Sequence, residues 1–193
     1  GGTTVSLGTL SVAAAGKMGS GTVTLNGGTL AATTSSFTDS NTLSLGASGG
    51  TIDVATGITY TLSGAIGGVG SLTKTSVGIL ALFNNTNNYT GSTTISGGTL
   101  QLAASNVLPS TTAIAVNATL NMNNFSNTVG QLSGSGAISL GSSGALIVSF
   151  AGSSSFSGTI SSSGGTLTNS GGGNLTLTGN NYSVLNGTIT NSA

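Results

Sequence analysis

Apolar positions in this chain recur in short alternating runs. Val23-Thr24-Leu25, Leu43-Ser44-Leu45, Leu80-Ala81-Leu82, Leu100-Gln101-Leu102 and Leu175-Thr176-Leu177 each place two aliphatic residues around one small or polar residue. A period of two puts the aliphatics on one face of a β-strand and the intervening residue on the other. Gly, Ser and Asn bound the runs and supply the positive-φ backbone that tight turns require. The pattern predicts a chain of many short strands.

A longer rhythm runs above the strands. The units Gly27-Gly28-Thr29-Leu30, Gly49-Gly50-Thr51-Ile52, Gly97-Gly98-Thr99-Leu100 and Gly164-Gly165-Thr166-Leu167 recur, with variants at Gly8-Thr9-Leu10, Gly158-Thr159-Ile160 and Gly187-Thr188-Ile189. Many gaps between them are roughly 20 to 24 residues, the length of one solenoid coil built from three strands and three turns. The segment from Val5 matches that from Ile95, and the segment Ser63–Ile95 matches Ser157–Ile189. These matches predict one domain over residues 1–193, a parallel β-solenoid of about eight coils in two super-repeats, 5–94 and 95–189. Val5, Ile95 and Ile189 then read as equivalent positions.

Composition narrows the chemistry. The 193 residues include 34 Gly, 32 Ser, 32 Thr and 18 Asn, but only two Lys, two Asp and no Glu, Arg, His, Cys or Trp. Helix is disfavoured, because Ser, Thr, Asn and Gly compete with helical backbone and the charged helix formers are nearly absent. Disorder is disfavoured too, since 36% of residues are apolar and the mean hydropathy is +0.36. Without His or Cys, the sequence excludes a Ser-His-Asp triad, a thiol nucleophile, the usual zinc sites and a disulfide. Two cations make no phosphate-binding stripe, so no nucleic-acid partner is expected. No run of 18 apolar residues predicts a membrane span. The opening Gly1-Gly2 reads as a processed mature protein or as a piece of something longer. Zero net charge built from four charges points to association, because dissolved domains usually carry a mixed charged surface.

The stretch Gly70-Ser71-Leu72-Thr73-Lys74-Thr75 and its continuation Asn87-Asn88-Tyr89-Thr90-Gly91-Ser92-Thr93-Thr94-Ile95-Ser96-Gly97-Gly98-Thr99-Leu100 resembles the autotransporter-associated β-strand repeat, also called the passenger-associated transport repeat. Val129-Gly130-Gln131-Leu132-Ser133-Gly134-Ser135-Gly136 resembles its continuation. The resemblance implies a right-handed parallel β-helix of the kind found in secreted bacterial passenger regions, exported to the outside or the cell surface. It implies no catalytic residue.

The remaining candidates have plain readings. Asp39 and Asp53 lie within one coil but not one coil apart, so they read as solvated turn residues rather than an acid pair or a calcium site, and no metal or other cofactor is expected. Lys17 and Lys74 read as surface lysines, with no acid placed to promote an amide bond to Asn. Seven Asn-x-Ser/Thr sequons (Asn84, Asn88, Asn117, Asn124, Asn174, Asn181, Asn186) are about the chance number for this composition. Thr22/Thr24, Thr59/Thr61, Thr73/Thr75 and Thr176/Thr178 suggest an ice-binding array, but in the super-repeat alignment the array is broken. Phe37, Phe125, Tyr89 and Tyr182 read as core or corner packing.

The sequence therefore predicts a non-enzymatic structural protein. Neither end carries a charged helix, proline block or lysine-rich edge, so both read as uncapped coils. Thr3, Val5, Leu7 and Leu10 form the expected N-terminal stacking surface, and Leu185, Thr188, Ile189 and Thr190 the C-terminal one. The expected partner is the chain itself, as a head-to-tail homopolymer in an extracellular filament, with other matrix or surface components as further partners. The alternative is a stalk segment of a large autotransporter-type adhesin passenger.

Overall fold

The computed structural model describes residues 1–179 and 186–191. Three short strands separated by corners make one coil, and successive coils stack in parallel. The first coil holds β1 (Thr3–Val5) and β2 (Thr9–Val12); the second β3 (Val23–Leu25), β4 (Thr29–Ala32) and β5 (Phe37–Asp39). The third holds β6 (Leu43–Leu45), β7 (Gly50–Val54) and β8 (Thr59–Leu62); the fourth β9 (Ile66–Gly68), β10 (Leu72–Thr75) and β11 (Ile79–Leu82). The fifth and sixth contribute β12 (Thr93–Ile95), β13 (Thr99–Leu102), β14 (Ile114–Val116) and β15 (Thr119–Asn121). Then follow β16 (Asn127–Val129), β17 (Leu132–Ser133) and β18 (Ala137–Ser139), and β19 (Ala145–Ser149), β20 (Ser153–Phe156) and β21 (Thr159–Ser161). The ninth coil holds β22 (Thr166–Ser170) and β23 (Asn174–Leu177), and β24 (Thr188–Asn191) starts a further coil. The solenoid thus has about nine coils, one more than the repeat spacing predicts.

The strands build three faces. Face one runs β1-β3-β6-β9 and resumes as β16-β19-β22-β24. Face two runs from β2 to β17 and continues into β20-β23 through a bridge between Gly134 and Phe156. Face three runs from β5 to β21. Every named strand pairing is parallel and in register, so inward residues form columns along the axis. Phe37, Tyr60, Leu80, Leu100, Leu120, Ile138 and Ile160 make one such column on face three. These residues fill the core because alternation within each strand points them inward.

Face one has no regular strand at residues 87–90 and 106–109, where side-chain amides supplement the backbone bonds that remain, such as Asn88 N to Ile66 O (2.9 Å) and Asn106 N to Ser126 O (2.8 Å). Asn87 accepts from Ile66 N (2.6 Å) and donates to Val107 O (2.7 Å), while Leu108 N donates to Asn127 Oδ1 (2.9 Å). Pro109 has no N–H to offer. Corners are tight enough to demand glycine: a Cβ on Gly70 would lie 1.9 Å from Gly46 O.

The registers correct the predicted phase. Val5 is in line with Leu25 and Leu45 on face one. Ile95 is on face two, in line with Lys74, Ile52, Leu30 and Leu10. Ile189 is back on face one, beside Leu167. An offset of 90 residues therefore advances four coils plus one face, so Val5 and Ile95 are not equivalent. The reason is that the Gly-Thr-Leu unit marks entry into a strand on any face: Thr29 and Thr51 enter face two, Thr99 face three and Thr166 face one.

Candidate functional site

Six of the predicted stacking residues fall on strands with a partner on one side only among the described residues. Thr3 and Val5 lie on β1, pairing Val23 and Leu25, and Leu10 lies on β2, pairing Leu30. Val5 points into the core, Thr3 and Leu10 are half-buried, and Leu7 stands at the corner between them, 86% exposed. At the other end Thr188, Ile189 and Thr190 lie exposed on β24, paired to Thr166, Leu167 and Thr168. Leu185 and Tyr182 lie outside the described residues. The N-terminal set is brought together on faces one and two, and the described part of the C-terminal set on face one.

The two ends are not equally bare. Residues 13–21 form no strand on face three, and their loop is tethered on either side of β5, by Ser35 and by Asn41. This departs from the expectation of uncapped coils at both ends.

Two polar residues read as solvated from sequence are buried. Asp39 faces inward from β5 and is 3% exposed; its carboxylate accepts from Tyr60 Oη (2.8 Å) and Asn41 N (3.0 Å). Burial and the Asp39 charge together push the Tyr60 phenol far above its ordinary range. Asp53 does face outward from β7, where it accepts from Thr75 Oγ1 (2.7 Å) and from the Ser76 hydroxyl. The two carboxylates sit on different faces, and among the described residues no cluster of three or more His, Cys, Asp or Glu groups exists.

Lys74 is the sharper correction. It occupies a core column between Ile52 and Ile95 with no exposed surface. Its ammonium donates to Thr75 O (2.5 Å), Ser76 O (2.9 Å) and Gly97 O (3.3 Å), tying together corners of consecutive coils. Alternation in Leu72-Thr73-Lys74-Thr75 puts Lys74 on the side of Leu72, so the strand pattern outweighs residue type. Burial lowers its pKa to about 8, opposed in part by Asp53. Between pH 8 and the unfolded value of 10.5 the unfolded chain binds more protons, so stability rises with pH. The Tyr60 and Tyr89 phenols, both raised by burial, reverse this trend only above about pH 10. Denaturant unfolding should therefore show stability climbing from pH 8 to 9.5. In Lys74→Met the climb should vanish, and an unchanged climb would assign it elsewhere.

The other candidates resolve simply. Phe37 packs on Tyr60 with ring centroids 4.8 Å apart and planes tilted by 44°, and Phe125 packs against the core. Tyr89 is buried, its hydroxyl 2.6 Å from Thr93 Oγ1. On face two Thr9, Thr29, Thr51, Thr73 and Thr94 form an unbroken outward column, then Ala115 and Ser133. The column two residues on reads Ser11, Ala31, Asp53 and Thr75, so Thr-x-Thr pairs do not repeat. Thr24 lies on face one, outside this column.

Residues 72–102, spanning β10 to β13, match the passenger-associated-transport-repeat family. A stretch of 104 residues, 53% of the chain, is 38% identical to the Adhesin BmaC autotransporter of Brucella suis biovar 1 (strain 1330). The match spans only 3% of that adhesin's length. No solved structure matches the chain. The chain is a parallel β-solenoid in which residues 72–102 match the passenger-associated-transport-repeat family.

Proposed function

We propose that this chain is a rod-like stalk segment of a large, secreted, surface-exposed bacterial adhesin passenger, with a structural role rather than a catalytic one. The observation that supports this reading is the match of 104 residues, about half of this solenoid, to 3% of the length of an autotransporter adhesin. A solenoid suits a spacer because each coil contacts only its neighbours, so length is added without redesign. At about 4.8 Å per coil, nine coils give a rod roughly 43 Å long.

The head-to-tail homopolymer is the second reading. It draws on β1, β2 and β24 having partners on one side only among the described residues. Its proposed contacts are Thr3, Val5, Leu7 and Leu10 against Thr188, Ile189 and Thr190, together with Leu185.

The two readings part on display and on assembly. Displayed alone on a non-adherent bacterium, the segment should confer no attachment; placed beneath a separate adhesive module, it should support attachment by that module. Attachment by the segment alone would overturn the stalk reading. Fibres of the purified chain with an axial repeat near 43 Å would favour the homopolymer.

A further inference from the structure

Among the described residues, face three carries a strand in the second to eighth coils but none in the first. Where a strand in register with β5 would lie, residues 13–21 turn through Gly16 (φ 75°) and Gly19 (φ 72°). Met18 folds from this loop into the core, and Lys17 stands exposed at its tip.

The loop is held by side chains rather than by ladder bonds. Asn41 Nδ2 donates to Gly19 O (2.9 Å) and Gly21 O (2.6 Å), and Ser35 Oγ donates to Ala13 O (2.5 Å). Asn41 is itself fixed, since its N–H donates to Asp39. Asp39 occupies an inward column that continues as Leu62, Leu82 and Leu102. A carboxylate in that place is tolerated only where its partners reach it, here Tyr60 and Asn41. An inward-pointing charge and a lysine-tipped cover are two devices by which sheets discourage addition at an edge strand.

We infer that residues 13–21, latched by Asn41 over Asp39, are an edge guard that closes face three to a further β-strand and confines strand addition at this end to β1 and β2. This holds whatever precedes Gly1, because the guard lies within the described coil. It goes beyond the stalk reading and does not depend on it: a partner at this end joins by a strand–corner–strand segment on two faces. It also limits the homopolymer, which would gain two sheets of continuous bonding at each junction rather than three.

Two experiments on the full chain test the guard. The first uses trypsin, for which the chain has two sites, Lys17 in the guard and Lys74 in the core. Asn41→Ala removes both latch bonds, so cleavage after Lys17 should accelerate about tenfold. Equal cleavage of parent and variant would overturn the latch. The second compares the parent with Asp39→Leu/Asn41→Ala by sedimentation velocity and electron microscopy, after circular dichroism confirms retained β-structure. End-to-end association should begin at about tenfold lower concentration in the variant. Association at the same concentration, or none by the folded variant, would overturn the guard. Should the double variant not fold, the trypsin comparison decides alone.

Discussion

Leu100→Asp should abolish cooperative folding. Leu100 has no exposed surface and sits between Leu80 and Leu120 in the face-three column. The substitution removes a buried aliphatic and leaves a carboxylate facing leucines, with no donor such as Tyr60 provides for Asp39. Loss of the aliphatic alone costs about 2–5 kcal/mol. An uncompensated buried charge adds about 3–5 kcal/mol. Together they rival the whole stability of a typical domain, about 5–15 kcal/mol. Circular dichroism and urea titration should show no folding transition, whereas a transition within about 2 kcal/mol of the parent's would mean the column is not a packed core.

Gly70→Ala should have the second largest effect, by a different route. The added methyl would lie 1.9 Å from Gly46 O and 2.8 Å from Gly49 Cα, both backbone atoms of the preceding coil. No side chain can yield, so either the corner shifts or the coils part. Overpacking of this kind costs roughly 2–4 kcal/mol, and the melting temperature should fall by about 5–15 °C. Gly57 supplies the control: its φ is 75° and nothing lies within 4 Å of a Cβ there. Gly57→Ala should therefore cost only the strain of a left-handed backbone, about 1 kcal/mol. Equal losses at the two sites would mean that the Gly70 corner is loose.

The fold was legible because two rules act in concert. Alternation in Val23-Thr24-Leu25 or Leu100-Gln101-Leu102 is the alternation of the pleat, and glycine before each run is what close corners demand. Phase was not legible, because Gly-Thr-Leu marks a corner on any of three faces and does not say which. The alignment of Val5 with Ile95 thus matched one corner type to another and slipped by a face.

The buried charges were hidden by residue type rather than by pattern. Leu72-Thr73-Lys74-Thr75 and Phe37-Thr38-Asp39 both alternate, and both place the charged residue on the inward side. Compensation came partly from neighbours in sequence, Thr75 O and Ser76 O for Lys74 and Asn41 N for Asp39, and partly from groups a coil away, Gly97 O and Tyr60. The guard has a weak signal of its own, since Ala13-Ala14-Ala15-Gly16-Lys17-Met18-Gly19 lacks alternation where the coil rhythm calls for a strand. Its latch, Asn41, lies 20 and 22 residues from its acceptors and follows from coil stacking alone.

The central claim is the register: outward threonines on face two rise by one strand spacing per coil. The chain has no native Cys, so paired spin labels at introduced cysteines measure it cleanly. Labels at Thr9 and Thr94, four coils apart, should lie about 19 Å apart, and labels at Thr9 and Thr176, eight coils apart, about 38 Å, before the tether correction. A doubling between the two pairs confirms the stack. Equal distances, or a shorter one for the second pair, would contradict it.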